Sequence, residues 1–408
     1  MMKFNIRNYL LVIIAIILTL SSIAGFIHIG NTYFPVLMVF SLLLIAETGK
    51  KWHLGMGYVG LFLLACFISL VVNDVPSFFR PWSRLFVYSM VLLIVSPFIV
   101  SGQANKLRIK LLHYLLNCFA LLSIGSFIAY FLGINLFIHY GNKMEITDIG
   151  HFSGIMNHSI ALGHFAGISA VYLLVRTLSG KGLLKIIMAI SCICCYGACL
   201  FSASRNGIIS CLIASIVVFA IFYRKRIFKG VYTLLLILVI AVSTFSLWGW
   251  SLDFVLEKNE RNVELGENVF YSRENKFDAR IAEFKKSPII GIGYYAIDPD
   301  LDSVEFSTGQ IEPGSSWLAI ASMTGILGLL VFLSIFISSL RNAFFSQDTF
   351  TSTLLFSLLT FYFVHMISEG YIIAPRSIYT VVFWLIVSSA FYTKKSNKEL
   401  AYGKDINL

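Results

Sequence analysis

Residues 251–315 read SLDFVLEKNERNVELGENVFYSRENKFDARIAEFKKSPIIGIGYYAIDPDLDSVEFSTGQIEPGS, the only long polar interval in an otherwise apolar chain. The stretch holds thirteen Asp or Glu against seven Lys or Arg, inside a 408-residue chain of formal net charge +10. Apolar runs of membrane length flank it on both sides. A loop of this length is usually functional or disordered. This one carries a helical pattern, so it reads as a folded loop held against a membrane.

Working outward, the remainder of the chain is built for lipid. Of all residues 58% are hydrophobic and 13% are charged, with a mean hydropathy of +0.82. A soluble domain carries roughly 25% charged residues. A membrane-spanning helix needs about 20 mostly apolar residues. Such runs fall at about 9–29, 33–46, 54–72, 85–100, 111–138, 159–178, 183–201, 207–223, 231–250, 316–340, 350–368 and 377–392. The expectation is an all-α polytopic membrane protein of about 12 transmembrane helices, with one large extracytoplasmic loop between spans nine and ten. Residues 1–250 hold spans one to nine, 251–315 the partly helical loop, and 316–408 spans ten to twelve with a tail.

Lys and Arg in short loops favour the cytoplasm. With the N-terminus inside, nineteen cations fall in cytoplasmic segments, among them Arg108, Arg176, Arg224, Lys225, Arg226, Lys229 and Arg341. Five fall in short outer loops: Arg80, Arg84, Lys143, Arg205 and Arg376. This asymmetry puts both termini in the cytoplasm and the long loop outside. It also accounts for the basic balance without nucleic acid as a partner. Lys3 and Arg7 precede the first apolar run and no small-residue cleavage site follows, so that run reads as an uncleaved span. The seven cysteines all lie in apolar runs, which gives no disulfide framework and no thiol-metal spacing.

The outer arginines have no topogenic purpose, and a guanidinium binds phosphate through a planar fork of donors. Arg205 sits in LFSASRNGIIS, a turn too short to be a free loop, so it lies near or just within the membrane surface. An ionisable residue there marks function by default; snorkelling to lipid phosphate is the plainer alternative. Arg80 and Arg84 flank Pro81 and Trp82 in FFRPWSRLF and fall on neighbouring turns if a helix begins at Pro81. An interfacial anchor is their other reading. In the long loop, SRENKFDARIAEFKKSP places Phe277, Ile281 and Phe284 at helical spacing, with Ser272 as N-cap and Pro288 closing the segment. Arg273 and Arg280 are seven apart and share a face, unless Arg280 merely pairs with Glu283 or Asp278. PIIGIGYYA follows; its GxG lacks a βαβ context and reads as a tight turn bringing backbone close to the membrane or a ligand.

Glu312 stands where the loop re-enters span ten, and a carboxylate at a membrane mouth near arginines can serve as a general base. Glu369 and Arg376 share the last outer loop, SEGYIIAPR, and could pair with each other. His151, His158 and His164 lie within fourteen residues, but their spacing matches no zinc site; a polar lining fits better, with His158 a secondary acid or base. His28, His53, His113, His139 and His365 have no constellation around them.

Three of these stretches resemble the bacterial O-antigen polymerases and the related O-antigen ligases. HFSGIMNHSIALGHF resembles the family's opening of a middle span, and LFSASRNGIIS its S-R-[GN] turn with Arg205 at the arginine. SRENKFDARIAEFKKSPIIGIGYYA, followed by SSWLAIASMTGILGLL, resembles its outer-loop signature, with Arg273 and Phe277 at the arginine and the aromatic. The three cover residues 150–330. One departure stands out. Ligases of the family typically carry a histidine just before the re-entering span, in an H-N/S-x-x-L pattern; here Gly314 or its neighbour stands there, in EPGSSWL. This favours a polymerase over a ligase.

The resemblance implies a polyprenyl-diphosphate-linked glycan as both donor and acceptor, on the outer face of the inner membrane. The acceptor hydroxyl would attack the anomeric carbon and lipid diphosphate would leave. Arg205, Arg273 and Arg280 are the first candidates to stabilise the leaving diphosphate, with Arg80, Arg84 and Arg376 next. Glu312 is the first candidate for the attacking hydroxyl and His158 the second. No metal and no cofactor are expected. Membrane lipid is a partner, and a chain-length regulator protein is a further candidate. A ligase, which would use lipid A-core as acceptor, and a lipid-linked oligosaccharide flippase are the alternatives; the chain shows no internal repeat of the kind many transporters carry.

Overall fold

The structure is a computed structural model that describes residues 6–20, 22–23, 33–48, 52–136, 152–243, 245, 249, 256, 271–302 and 309–404. Lys3, His28, Lys50, Lys51, His139, Lys143, His151, most of 251–270 and the end of the acidic tract at 303–308 lie outside the described residues.

Thirteen α-helices run through the described residues. They are α1 Ile6–Leu20, α2 Tyr33–Thr48, α3 Gly57–Val72, α4 Pro81–Val95, α5 Gly102–Phe131, α6 Ser159–Ser179 and α7 Gly182–Phe201. There follow α8 Arg205–Phe222, α9 Ile227–Ser243, α10 Tyr271–Lys286, α11 Ser316–Phe344, α12 Thr349–His365 and α13 Ile378–Lys404. Apart from α10, each coincides with one of the expected apolar runs. Six segments are long and apolar enough to cross a membrane: Ser77–Val95, α5, α6, α7, α8 and α11. Five other helices are apolar but shorter.

At the centre is α6, packed against α5, α7, α8 and α12. Its sequence, SIALGHFAGISAV, explains the position. Small residues at Gly163, Gly167 and Ala170 let neighbouring backbones approach, the usual basis of helix packing in lipid. A Cβ on Gly207 of α8 would stand 2.9 Å from the Gly163 carbonyl. Phe119 of α5 and Phe165 of α6 stack at 3.9 Å. Contacts gather at one end of the bundle the turns before α4, α6, α8 and α13 with α10 and the start of α11. The other end gathers Arg176, Arg224, Lys225, Arg226, Lys229 and Arg341.

Two boundaries differ from expectation. The fourth helix starts earlier, at Pro81, with Arg80 just before it in the left-handed region at φ 49°. The fifth starts at Gly102 and carries Arg108 within it. Arg108, counted above as a cytoplasmic loop cation, is fully buried. Its guanidinium donates to the carbonyls of Ile94 (2.8 Å), Ile99 (3.0 Å) and Leu93 (3.2 Å), closing the C-terminal end of α4.

The long loop meets the bundle at a break in α11. Gly325 has φ 65° and ψ −169°, a region open essentially to glycine alone. Residues 288–292 insert there. Ile292 N–H donates to Ser322 O at 2.9 Å and Ile326 N–H to Pro288 O at 2.8 Å, while Ser69 Oγ of α3 donates to Met323 O at 2.6 Å. Irregular backbone at membrane depth persists only where protein satisfies it, and here the loop itself does so. The GxG turn therefore approaches the backbone of α11: a Cβ on Gly291 would lie 2.3 Å from the Met323 carbonyl carbon. The tight turn expected from the GxG is present, and its close backbone approach is to α11.

Candidate active site

Arg273 lies in the first turn of α10. Its Nη2 donates to Glu369 Oε1 at 2.8 Å and its Nη1 to Gly314 O at 3.2 Å, with Glu312 Oε1 3.7 Å from Nη1. One turn on, Lys276 Nζ is 2.7 Å from Glu312 Oε2. Two separate segments, 312–314 and the loop at 369, thus converge on one guanidinium of α10. Ser316, at the start of α11, holds the loop that carries Glu369. Its Oγ donates to Glu369 O at 2.6 Å and accepts from the amides of Tyr371 (3.2 Å) and Ile372 (3.3 Å).

The two carboxylates differ in character. Burial pushes the Glu369 carboxyl up to about 7 against the pull of Arg273. At Glu312 burial also favours the neutral acid, but Lys276 and Arg273 outweigh it and hold the carboxyl below its ordinary range. The Glu312 side chain is 66% exposed and that of Glu369 15%, so the buried acid is the one nearer neutrality.

Arg205 joins this group. It opens α8 after a turn held by Ser202, whose Oγ donates to Cys199 O at 2.7 Å and accepts from Ser204 N at 3.2 Å. The charges of Arg205 and Arg273 act on each other. The short turn read from SASRN is present, with Ala203 at φ 48°. His158 acts electrostatically on Glu312, but its Nδ1 accepts the amide N–H of Ile160 at 3.0 Å, capping α6. A neutral imidazole that accepts at Nδ1 carries its proton on Nε2. With Nδ1 engaged in the cap, Nε2 is the nitrogen left to act as the donor of a neutral ring.

A second group forms alongside. Arg84 stacks on the Tyr295 ring, its Cζ 4.0 Å from the centroid, and the charges of Arg376 and Arg80 act on Arg84. Tyr294 Oη donates to Ile373 O at 2.9 Å and Tyr88 Oη to Ile372 O at 3.0 Å, tying residues 371–376 to this face. Arg376 thus sits with Arg80 and Arg84, whereas Glu369 is bound to Arg273. The expected pairing of Glu369 with Arg376 gives way to one with a residue about a hundred positions away.

Arg280 is corrected outright. It is 0% exposed, 2.7 Å from Glu283, itself 0% exposed, and 3.3 Å from Asp302. Glu283 Oε1 accepts Asp298 N–H at 2.7 Å, and Asp298 also binds Lys286. The described part of the acidic tract serves to fasten α10. The face of α10 that packs carries Ala279, Arg280 and Glu283, while Ile281, expected on the buried face, is 39% exposed. Arg280 is therefore not available to a phosphate.

Beneath the first group lies a cluster that spacing along the chain does not suggest. His164 Nδ1 is 3.4 Å from the His365 ring, and His365 Nδ1 is 3.2 Å from Tyr371 Oη. The imidazole-rich stretch is thereby divided, His158 at the surface and His164 in the interior. Lys276 is the other member missed: nothing in EFKK or ENKF marks one lysine above its neighbours. A cavity of about 500 Å³, lined among others by His113, Asp348 and Tyr392, opens at the opposite end of the bundle and contains none of the expected site residues.

A protein-family model described as O-antigen ligase matches residues 187–333. The match takes in Arg205, Arg273, Lys276, Arg280 and Glu312, and leaves Arg80, Arg84, His158, Glu369 and Arg376 outside it. No curated protein matches the chain.

Proposed function

We propose that this chain, whose residues 187–333 match a family model described as O-antigen ligase, joins polyprenyl-diphosphate-linked repeat units into surface polysaccharide at the periplasmic face of the bacterial inner membrane. The carrying observation is Arg273, held between two carboxylates beside Arg205 at one end of the bundle. The leaving diphosphate gains charge as the glycosidic bond breaks, so preorganised cations stabilise the transition state more than the ground state. Arg205 and Arg273 supply them, with Arg80, Arg84 and Arg376 along the neighbouring face for the rest of the diphosphate or the glycan. Glu312 and Glu369, the two carboxylates on Arg273, are the candidates to receive the proton of the attacking hydroxyl. No metal is required for this chemistry.

Polymerisation, and not transfer to a lipid A-core acceptor, is favoured by Gly314, two residues before α11. Gly314 has φ 78°, and a Cβ there would lie 2.9 Å from the Lys276 Cβ. A histidine of the kind family ligases carry at this point has no room while Lys276 holds Glu312.

The test is a surface-glycan gel from a deletion strain complemented with wild type, Arg205→Ala, Arg273→Ala or Glu312→Ala at matched expression. The deletion should leave a single repeat unit on the lipid core, and wild type should restore the ladder. Each arginine variant should fail to restore it, as expected where losing one transition-state donor costs roughly 100-fold or more. Unmodified core with long polymer retained on the carrier lipid would instead identify a ligase. Loss of all outward-facing lipid-linked glycan would identify a flippase.

A further inference from the structure

We propose that Glu369 takes the proton of the acceptor hydroxyl, and that it is freed to do so when the donor diphosphate takes Arg273 from it. The inference rests on the glycosyl-transfer reading above. It starts from an arrangement in which one guanidinium serves two acids. Arg273 Nη2 is on Glu369 at 2.8 Å and Nη1 faces Gly314 O and Glu312. A diphosphate that binds Arg273 must share or displace those contacts.

The two acids are not displaced equally. Glu312 keeps Lys276 at 2.7 Å and is mostly exposed, so it stays ionised and ion-paired, a weak proton acceptor. Glu369 is nearly buried, and Arg273 is its ion-pair partner. The charged and titratable groups around it are Arg273 and Lys276 from α10, Glu312 from the segment before α11, and Tyr371 and Tyr379 from its own loop and α13. Arg205, His158 and His365 stand one contact further out, acting on Arg273 or Glu312. Among these, burial and Glu312 favour the protonated acid, whereas Arg273 and Lys276 favour the carboxylate. Moving Arg273 onto a new anion tips that balance towards proton uptake, the direction a general base needs.

The step balances. The acceptor O–H bond breaks and its proton passes to the Glu369 carboxylate. The oxygen forms a bond to the anomeric carbon as the anomeric C–O bond to diphosphate breaks, its electron pair remaining on the diphosphate. When lipid diphosphate departs, Arg273 returns to Glu369, the acid becomes stronger again, and the proton passes to water.

Two measurements on the purified full-length protein test this. The first is calorimetry of a short-chain polyprenyl diphosphate binding near pH 7, in buffers of different ionisation enthalpy. With no acceptor present, wild type should take up a fraction of a proton on binding, the share of Glu369 that protonates from water and must lose that proton again before it can act as base; Glu369→Gln should take up none; Glu312→Gln should behave as wild type. The second is turnover of lipid-linked repeat units. Glu369→Gln should lower kcat roughly 100-fold or more with donor KM little changed, and Glu369→Asp should recover part of the loss with a displaced pH profile. Uptake that persists in Glu369→Gln, no uptake in wild type, or near-normal turnover by Glu369→Gln overturns the proposal. If Glu369→Gln does not fold, an unchanged pH profile in Glu369→Asp overturns it equally. Wild-type turnover is the separate check on the parent reading: if wild type forms no glycosidic bond from these substrates, that reading fails and takes this inference with it.

Discussion

Arg280 and Glu283 meet at 2.7 Å with neither side chain exposed, and such a pair is asymmetric to mutation. Removing one partner strands a buried charge and costs about 3–5 kcal/mol, whereas replacing both with apolar groups of similar volume can be neutral. Arg280→Ala should therefore lower the melting temperature in detergent sharply, and Arg280→Met with Glu283→Leu should recover much of the loss; equal damage from both would show that the pair is held by more than its charges. The same acid sets a pH dependence. Burial raises the Glu283 carboxyl to about 7 against the pull of Arg280, and Glu369 is raised likewise. An acid with a folded-state value above its unfolded one stabilises the fold below the unfolded value, and that contribution is lost as pH rises through the folded value. Thermal stability should accordingly fall between about pH 4.5 and pH 7, and Glu369→Gln should flatten the curve. Asp298 runs the other way: its hydrogen bond to Lys286 lowers it, so its contribution is lost only in acid, below the ordinary carboxylate range. A melting curve that rises through the neutral window would contradict both glutamate assignments.

Helix α11 is the element whose shape the site depends on, and its break is a backbone event. Gly325 stands at φ 65° and ψ −169°, and a Cβ there would lie 2.2 Å from Ile289 O. Gly325→Ala combines about 1–3 kcal/mol of backbone strain with a collision against main chain that cannot rotate away. It should abolish stable expression or displace residues 288–292, and with them Arg273 and Glu369. Gly57→Ala, where an added Cβ meets nothing within 4 Å, should be neutral or stabilising by about 0.5–1 kcal/mol; comparing the two by thermal melting separates the local device from a general effect of glycine replacement. The break also marks where sequence reasoning stops. MTGILGLL is a continuous apolar run, and hydropathy responds to side chains, not to which backbone carbonyls a distant loop will satisfy. For the same reason helix α10 was legible in SRENKFDARIAEFKK but its packed face was not, since periodicity favoured Phe277 and Ile281 while the chain buries Ala279 and an ion pair. Arg205 was a candidate because orientation made it an exception, and Arg273 because it stands in the helical pattern of the loop four residues before Phe277. The Glu369 contact was not, because it joins α10 to a loop about a hundred residues on, and only the folded bundle relates the two.

Across the whole molecule the arginines that meet the loop and the cations that do not lie at opposite ends. Arg80, Arg84, Arg205, Arg273 and Arg376 gather where α10 docks, whereas Arg224, Lys225, Arg226 and Lys229 cluster at the far end, where Arg224 Nη1 donates to Phe344 O at 2.8 Å. That separation is read from contacts and needs no assumption about a membrane. Adding the preference of short-loop cations for the cytoplasm turns it into a prediction: the Arg273 end should face outward, as the proposed donor requires. Single cysteines test this at exposed positions on each end, Lys285→Cys on α10 and Lys225→Cys beyond α8. In intact spheroplasts a membrane-impermeant maleimide should label Lys285→Cys above the wild-type background, while Lys225→Cys should label only after the membrane is opened. The reverse pattern would place the carboxylates and arginines in the cytoplasm, where the proposed donor could not reach them. It would overturn periplasmic glycosyl transfer whatever the activity of the Arg273 variants, because the chemistry depends on which leaflet presents the diphosphate to that end of the bundle.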